Sequence, residues 1–507
     1  MRAASCRVML ARVDAALPPS VPLATNRSDT MPGEPVMRDR LYIDGRWVAP
    51  AADAPATDVL DASDGSVLGR VARGGPGDVD RAVAAARAAF DTWSQIPPEE
   101  RAGRLETVRD ILAKRQDEIA RLISLEVGTP TLISTRVQVG LPLQTLQGFA
   151  DAARTHVWED EAGNSTVVRE PAGVAGAITP WNYPLHQLVG KVGGALAAGC
   201  TVVAKPADVA PLSAFALADA IADAGVPAGV FNLVSGPGSE VGEALAGHAG
   251  IDVLSFTGST TVGARVAALA AANITRVALE LGGKSASVVL ADADLPRAVK
   301  TSVNNAFLNS GQTCSAWTRL VVPRNRHDEV LELARAAAAK LTLGHPLADG
   351  TRLGPLATAA QQESVRRYIR LGVEEGATLV TGGPDQPAGL PAGFYVQPTI
   401  FGNVDPSSRI AQEEIFGPVL VVIPHDGDDD AVAIANHSSY GLAGGVWSAD
   451  PDRAMRVARR IRTGQVDLNG GRFNPAAPFG GYKRSGIGRE FGHHGIDEFT
   501  ELKAIQH

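Results

Sequence analysis

The chain is 507 residues long, 45 % hydrophobic and 20 % charged, with a formal net charge of −8. Its length corresponds to about three soluble domains, and its acidic balance argues against non-specific nucleic-acid binding. Three cysteines, Cys6, Cys200 and Cys314, give no disulfide framework and fit a reducing, cytoplasmic setting, while no apolar run reaches the roughly 18–20 residues of a membrane span.

At the N-terminus, Arg2 and Arg7 flank only a few apolar residues before Arg12 and Asp14, a poor signal peptide. Residues 1–38 are rich in Ala, Pro, Arg and Met, lack periodicity, and read as a disordered extension in which Met31 and Met37 are alternative starts. Leu41 to Val48 is a strand–turn–strand pattern with Asp44-Gly45 at the turn. From Asp78, a capping residue type, Val83, Ala86, Phe90 and Trp93 share one helix face until Pro97-Pro98. One further helix carries Leu105, Val108, Leu112, Ile119 and Leu122 and stops at Gly128-Thr-Pro130.

Strands and helices then alternate. Strands are expected at Thr201–Ala204, Val230–Val234, Val253–Phe256 and Arg276–Leu279, with helices near 212–224, 239–247 and 261–272. Such alternation implies right-handed βαβ units and a parallel sheet, with ligands at the carboxyl ends of its strands. Those ends carry Lys205, Gly236-Pro-Gly238, Thr257-Gly-Ser259 and Glu280-Leu-Gly-Gly283. A second α/β segment follows, with helices at 328–341, 361–375 and 452–463, a strand at Ala377–Val380, and Gly464 as a left-handed helix cap.

Among the chemistry-bearing residues, Cys200 adjoins an apolar strand and reads as a buried thiol. Cys314 lies among Gly, Gln, Thr and Ser, a polar and flexible setting that suits a nucleophile. Glu280 precedes Gly282-Gly283, which suggests close backbone approach; an ion pair is the plainer fate of such a Glu. Gly236, Gly238 and Gly242 lack the GxGxxG spacing, and a tight strand-to-helix turn explains them equally. Neither HExxH nor a Cys/His cluster occurs, so no metal site is expected.

Six segments stand in one order: Thr179-Pro-Trp-Asn-Tyr-Pro184, Phe256-Thr-Gly-Ser-Thr260, Leu279-Glu-Leu-Gly-Gly-Lys284, Gly311-Gln-Thr-Cys314, Glu413-Glu-Ile-Phe-Gly-Pro418 and Pro478 through Glu490. Each resembles a signature of the aldehyde dehydrogenase superfamily, in its NAD(P)-dependent, hydrolytic branch, over roughly residues 41–505. The resemblance implies that Cys314 attacks an aldehyde, that Glu280 activates the water that cleaves the thioester, and that Asn182 helps hold the oxyanion. Lys191 matches a proton-relay lysine, against the alternative of a surface helix lysine.

For the cofactor, the resemblance places Ile178, Pro180 and Trp181 along the cleft, with Phe256, Gly258 and Ser259 beneath the pyrophosphate. Gly238 and Leu281 join them. Glu414 meets the nicotinamide ribose, with Phe416 near the ring. Lys205 and Asp208 meet the adenosine ribose, where an acidic partner favours NAD and leaves NADP possible. Tyr183, His186, Gln187, Gly190, Trp317 and Arg472 are expected near a substrate tunnel, which Gly190 would widen. A CoA-acylating enzyme and a non-catalytic relative are the alternatives; Glu280, and the Cys314–Glu280–Asn182 set, argue against them.

The implied fold is α/β: a variant Rossmann cofactor domain (39–150 and 172–282), an α/β catalytic domain (283–484), and a small β bridging element for oligomerisation (151–171 and 485–507). The implied partners are a small-molecule aldehyde and further copies of the chain in a homodimer or homotetramer, without nucleic acid or membrane.

Overall fold

Runs of Val, Ala, Ile and Leu build the first sheet. In the computed structural model, which describes residues 35–390 and 392–507, Val174–Ile178, Thr201–Lys205, Phe231–Leu233 and Val253–Thr257 are buried at every position. That continuous burial is what a parallel sheet covered on both faces requires. The sheet has eight strands. Five are parallel, in the spatial order Arg276–Glu280, Val253–Thr257, Val174–Ile178, Thr201–Lys205, Phe231–Leu233. Gly486–Ile487 flanks one edge and the Leu41–Val48 hairpin the other, all antiparallel. Asp44 and Gly45 take φ of 53° and 71°, as a two-residue hairpin turn demands.

The chain order reverses between Val174–Ile178 and Val253–Thr257, and a ligand crevice belongs outside the strand ends at such a reversal. Thr179-Pro-Trp-Asn182 leaves one of those ends and Gly258-Ser259 the other. Val174–Ile178 is a strand not expected from the sequence: Gly176 and two Ala residues carry little strand propensity, and the sheet fixes it instead.

Residues 281–285 carry the chain directly into a seven-stranded sheet, parallel except for Thr378–Thr381. Its strands include Ala286–Val289, Arg319–Pro323, Val419–His425, Gly444–Trp447 and Asp467–Leu468. A separate three-stranded antiparallel sheet joins Glu159–Ala162, Ser165–Pro171 and Thr500–Gln506.

Several expectations need correction. Val36–Arg38, assigned above to the extension, pairs in parallel with Val67–Val71; residues 1–34, with Cys6 and Met31, lie outside the described residues. Asp78 is not the cap. Pro76 starts the helix earlier, and Asp78 sits at its third position, accepting from the Gly75 N–H at 2.9 Å. The single helix after Pro98 is two, Pro98–Lys114 and Gln116–Val127. They break at Arg115, whose guanidinium reaches Glu118 and Asp219. Gly464 caps nothing: the helix ends at Ala458, and a Cβ on Gly464 would lie 1.6 Å from the Gly480 carbonyl oxygen.

Candidate active site

Cys314 lies between two cavities and, among the described residues, is the one that lines both. The first, about 310 Å³, is the crevice at the strand reversal, and Pro180, Trp181, Gly258, Ser259, Leu281 and Phe416 form its walls. Asn182 and Glu414 line it too. The second, about 250 Å³, runs the other way past Tyr183, Gln187, Trp317, Phe473, Phe479 and Phe491.

Left-handed backbone delivers the thiol to this position. Asn309, Ser310 and Gly311 have φ of 53°, 56° and 75°. At Gly311 the requirement is also spatial, since a Cβ would lie 2.0 Å from the Gly417 carbonyl oxygen. Gln312 locks the turn. Its side chain donates to the Asn309 carbonyl at 3.1 Å and accepts from the Ala357 N–H at 2.9 Å. Cys314 is partly exposed, yet that exposure is to the cavities rather than to bulk water, and burial pushes its pKa up to about 12, with the Glu414 and Glu280 carboxylates adding to the shift.

Asn182 is equally fixed. Its carbonyl accepts from Gln138 Nε2 at 2.8 Å and Asn309 Nδ2 at 3.0 Å, and its own amide Nδ2 donates to the Gln312 carbonyl at 2.9 Å. One amide hydrogen remains for a group in the cavity beside Cys314. Tyr183, next in the chain, shares a 2.7 Å hydrogen bond with the Thr313 hydroxyl.

Glu280 and Lys191 stand behind this front, and neither lines either of these two cavities. Glu280 is 3 % exposed, and burial first, then the neighbouring Glu490, raise its pKa well above the usual carboxylate range. Its Oε1 lies 2.7 Å from where a Cβ on Gly480 would be, and its Oε2 has no hydrogen-bond partner. Lys191 is fully buried, which rules out the surface alternative. Its Nζ donates to Thr257 Oγ1 at 2.6 Å and to Glu490 Oε1. Thr257 in turn lines the crevice, so a polar path runs from the cofactor side to Glu490, whose Oε2 is also unpartnered.

The crevice suits a dinucleotide. Ser259 caps the Thr260–Ala271 helix by accepting from the Val262 N–H at 3.3 Å, and the first-turn N–H groups that open this helix favour an anion. The Gly283 N–H donates to Glu414 Oε1 at 3.0 Å, and Oε2 rests where Gly282 has no Cβ, 2.0 Å from the position one would take. Burial raises the Glu414 pKa to about 7, with the Gly283 N–H and Lys284 opposing the shift. The Phe416 ring meets Trp181 edge-on across the crevice, centroids 5.5 Å apart. Lys205 and Asp208 pair at 3.3 Å at the end of the Thr201–Lys205 strand, away from the lining beside Cys314, and Gly238 begins the turn that follows Phe231–Leu233. Ile178 and Phe256 are buried in the core below. Among the described residues no cluster of three or more His, Cys, Asp or Glu is disposed to hold a metal.

In the second cavity, Gly190 does not widen anything. A Cβ there would lie 3.0 Å from the Phe491 ring, so Phe491 occupies the space in question and itself forms the wall. Arg472 is exposed and outside the lining. His186 stacks on Phe491 at 5.2 Å, and burial lowers its pKa to about 4, so it is neutral near pH 7.

An α/β scaffold that presents the partly exposed Cys314 thiol between a dinucleotide crevice and a second, largely apolar cavity is that of a dinucleotide-dependent oxidoreductase. The sequence profile of the aldehyde dehydrogenase family matches residues 47–505, and the chain belongs to that family. A 3-succinoylsemialdehyde-pyridine dehydrogenase from a Pseudomonas species is 48 % identical over 92 % of this chain and 99 % of its own length. Two solved structures are also similar, each with a TM-score of 0.91. One is a cysteine-to-alanine mutant of aldehyde dehydrogenase C from Pseudomonas syringae with NAD+ and octanal, 49 % identical over 92 % of this chain and 96 % of that one. The other is a Mycobacterium tuberculosis aldehyde dehydrogenase with NAD+, 43 % identical over 93 % and 98 %.

Proposed function

We propose that this chain oxidises an aldehyde to the carboxylic acid with NAD, and that Cys314 is its nucleophile. The observation that carries this reading is that, among the described residues, Cys314 alone borders both cavities, so its sulfur can hold a carbonyl carbon from the tunnel against the crevice. Bound in the crevice, NAD supplies the hydride acceptor.

The thiol is protonated as it stands, so attack requires transfer of its proton to a water molecule in the cavities. Sulfur then adds to the carbonyl carbon, and the free amide hydrogen of Asn182 meets the developing oxyanion. Loss of hydride leaves a thioester on Cys314. Glu280 takes a proton from water, which cleaves the thioester and frees the acid and the Cys314 thiolate. From its place beside Gly480, the Glu280 carboxylate must turn toward Cys314 for this step, and Lys191 and Glu490 can pass the proton onward. The relatives support the choice of cofactor: two of those described above are complexes with NAD+.

The three-stranded sheet supports self-association. Its Thr500–Gln506 strand leaves Leu502 and Ile505 exposed at 69 % and 46 %, and further copies of the chain, as a dimer or tetramer, are the proposed cover. We assign the first sheet to a cofactor domain and the second to a catalytic domain. Among the described residues no helix is long and apolar enough to cross a membrane, and the cysteine usage supports a cytoplasmic location.

Rapid mixing tests the cycle. Glu280→Gln should release one equivalent of NADH in a burst and then stall, because only deacylation is blocked. Undiminished steady turnover in that variant would remove Glu280 from the role.

A further inference from the structure

Charge is distributed unevenly in the tunnel. Among the described lining residues there is no Lys and no Arg. Apart from Cys314, Tyr183 and the neutral His186, the one ionisable side chain in that lining is Asp467. Asp467 is the register partner of Gly445 in adjacent parallel strands, so their side-chain positions share a face. On that face a Cβ at Gly445 would lie 3.1 Å from the Trp317 ring, which places Asp467 beside Trp317 in the tunnel wall.

Its carboxylate has one protein partner, Gln465 Nε2 at 2.9 Å, and no ion pair among the described residues. Partial burial raises its pKa, the behaviour of a carboxyl that no neighbouring cation offsets. The mechanism makes no use of it. The same cavity is lined by Trp317, Phe473 and Phe479, whose ring faces attract cations.

We propose that Asp467 is a specificity-determining residue that makes the tunnel charge-selective, favouring aldehydes with a positive charge at the far end over neutral ones and disfavouring those that end in a carboxylate. This rests on the reading of the second cavity as the aldehyde tunnel. A carboxylate-terminated aldehyde would meet a like charge with no cation in the lining to answer it. The exposed Arg472 does not alter this, because solvent screens it and it lies outside the lining.

The test uses three aldehydes of matched length and shape: trimethylammonio-butanal, its neutral tert-butyl isostere, and glutaric semialdehyde. The quaternary nitrogen avoids the cyclisation of a primary amino-aldehyde. In wild type, kcat/KM should rank cation, neutral, anion, with a cation-to-anion ratio of about 100 or more. In Asp467→Asn that ratio should fall by about tenfold or more, and Asp467→Glu should keep the wild-type order. A merely structural role would lower all three rates together and leave the ratio alone. Equal turnover of the anion and the neutral isostere by wild type, or a ratio that Asp467→Asn leaves unmoved, would overturn the proposal. Turnover of none of the three would instead overturn the underlying reading of the enzyme, and this inference with it.

Discussion

Lys191 Nζ donates to Glu490 Oε1 inside the protein, with both side chains almost wholly removed from solvent. The two residues lie 299 positions apart, and the pair ties the Pro184–Ala198 helix to the C-terminal segment directly behind Glu280.

That pair makes a stability prediction. Removing one member leaves an uncompensated buried charge, so Lys191→Met or Glu490→Leu alone should each destabilise by about 3–5 kcal/mol. The double variant Lys191→Met/Glu490→Leu should recover much of that loss, since no charge is then stranded. Thermal melts of the three variants check this. A double variant as unstable as the sum of the singles would deny the coupling.

Cofactor choice should depend on Asp208. Its carboxylate sits 3.3 Å from Lys205 at the end of the strand, and burial raises its pKa. An acidic group there repels a 2′-phosphate. Asp208→Ser should raise the NADP-to-NAD ratio of kcat/KM by about tenfold or more, because Lys205 is freed to meet the phosphate. Initial rates with each cofactor provide the measurement.

Stability should also vary with pH through Glu126. It is fully buried, its Oε1 accepts from the Leu212 N–H at 2.9 Å, its Oε2 is unpartnered, and burial raises its pKa to about 8. The folded state therefore holds a proton that the unfolded chain releases near its ordinary value of 4.5. The resulting stability is complete below that value and is lost as pH rises through about 8, by up to a few kcal/mol. Denaturant unfolding from pH 5 to 9 should show this loss in wild type, and Glu126→Gln should flatten it.

Much of this was legible in the sequence, and the exceptions have physical causes. The βαβ alternation from Thr201 to Glu280 follows from periodicity alone, and the strands and helices fall within a few residues of their expected places. The short motifs located Cys314, Asn182, Glu414 and Phe416 because each lies in a local turn whose glycines and prolines mark it. Glu490 was quoted within its motif but given no role, since its partner Lys191 is remote in the chain and only the fold brings them together. Phe491 escaped for the same reason, and with it the explanation of Gly190. Gly464 misled because a glycine needed for close approach to Gly480 looks the same in sequence as one needed for a left-handed cap.

The most direct test of the whole account is NADH formation over a panel of neutral and charged aldehydes, with Cys314→Ala run beside wild type and binding of NAD to both measured in parallel. The account predicts steady NADH formation by wild type and none by Cys314→Ala, with NAD bound equally by the two. NADH formation that persists in Cys314→Ala would contradict it.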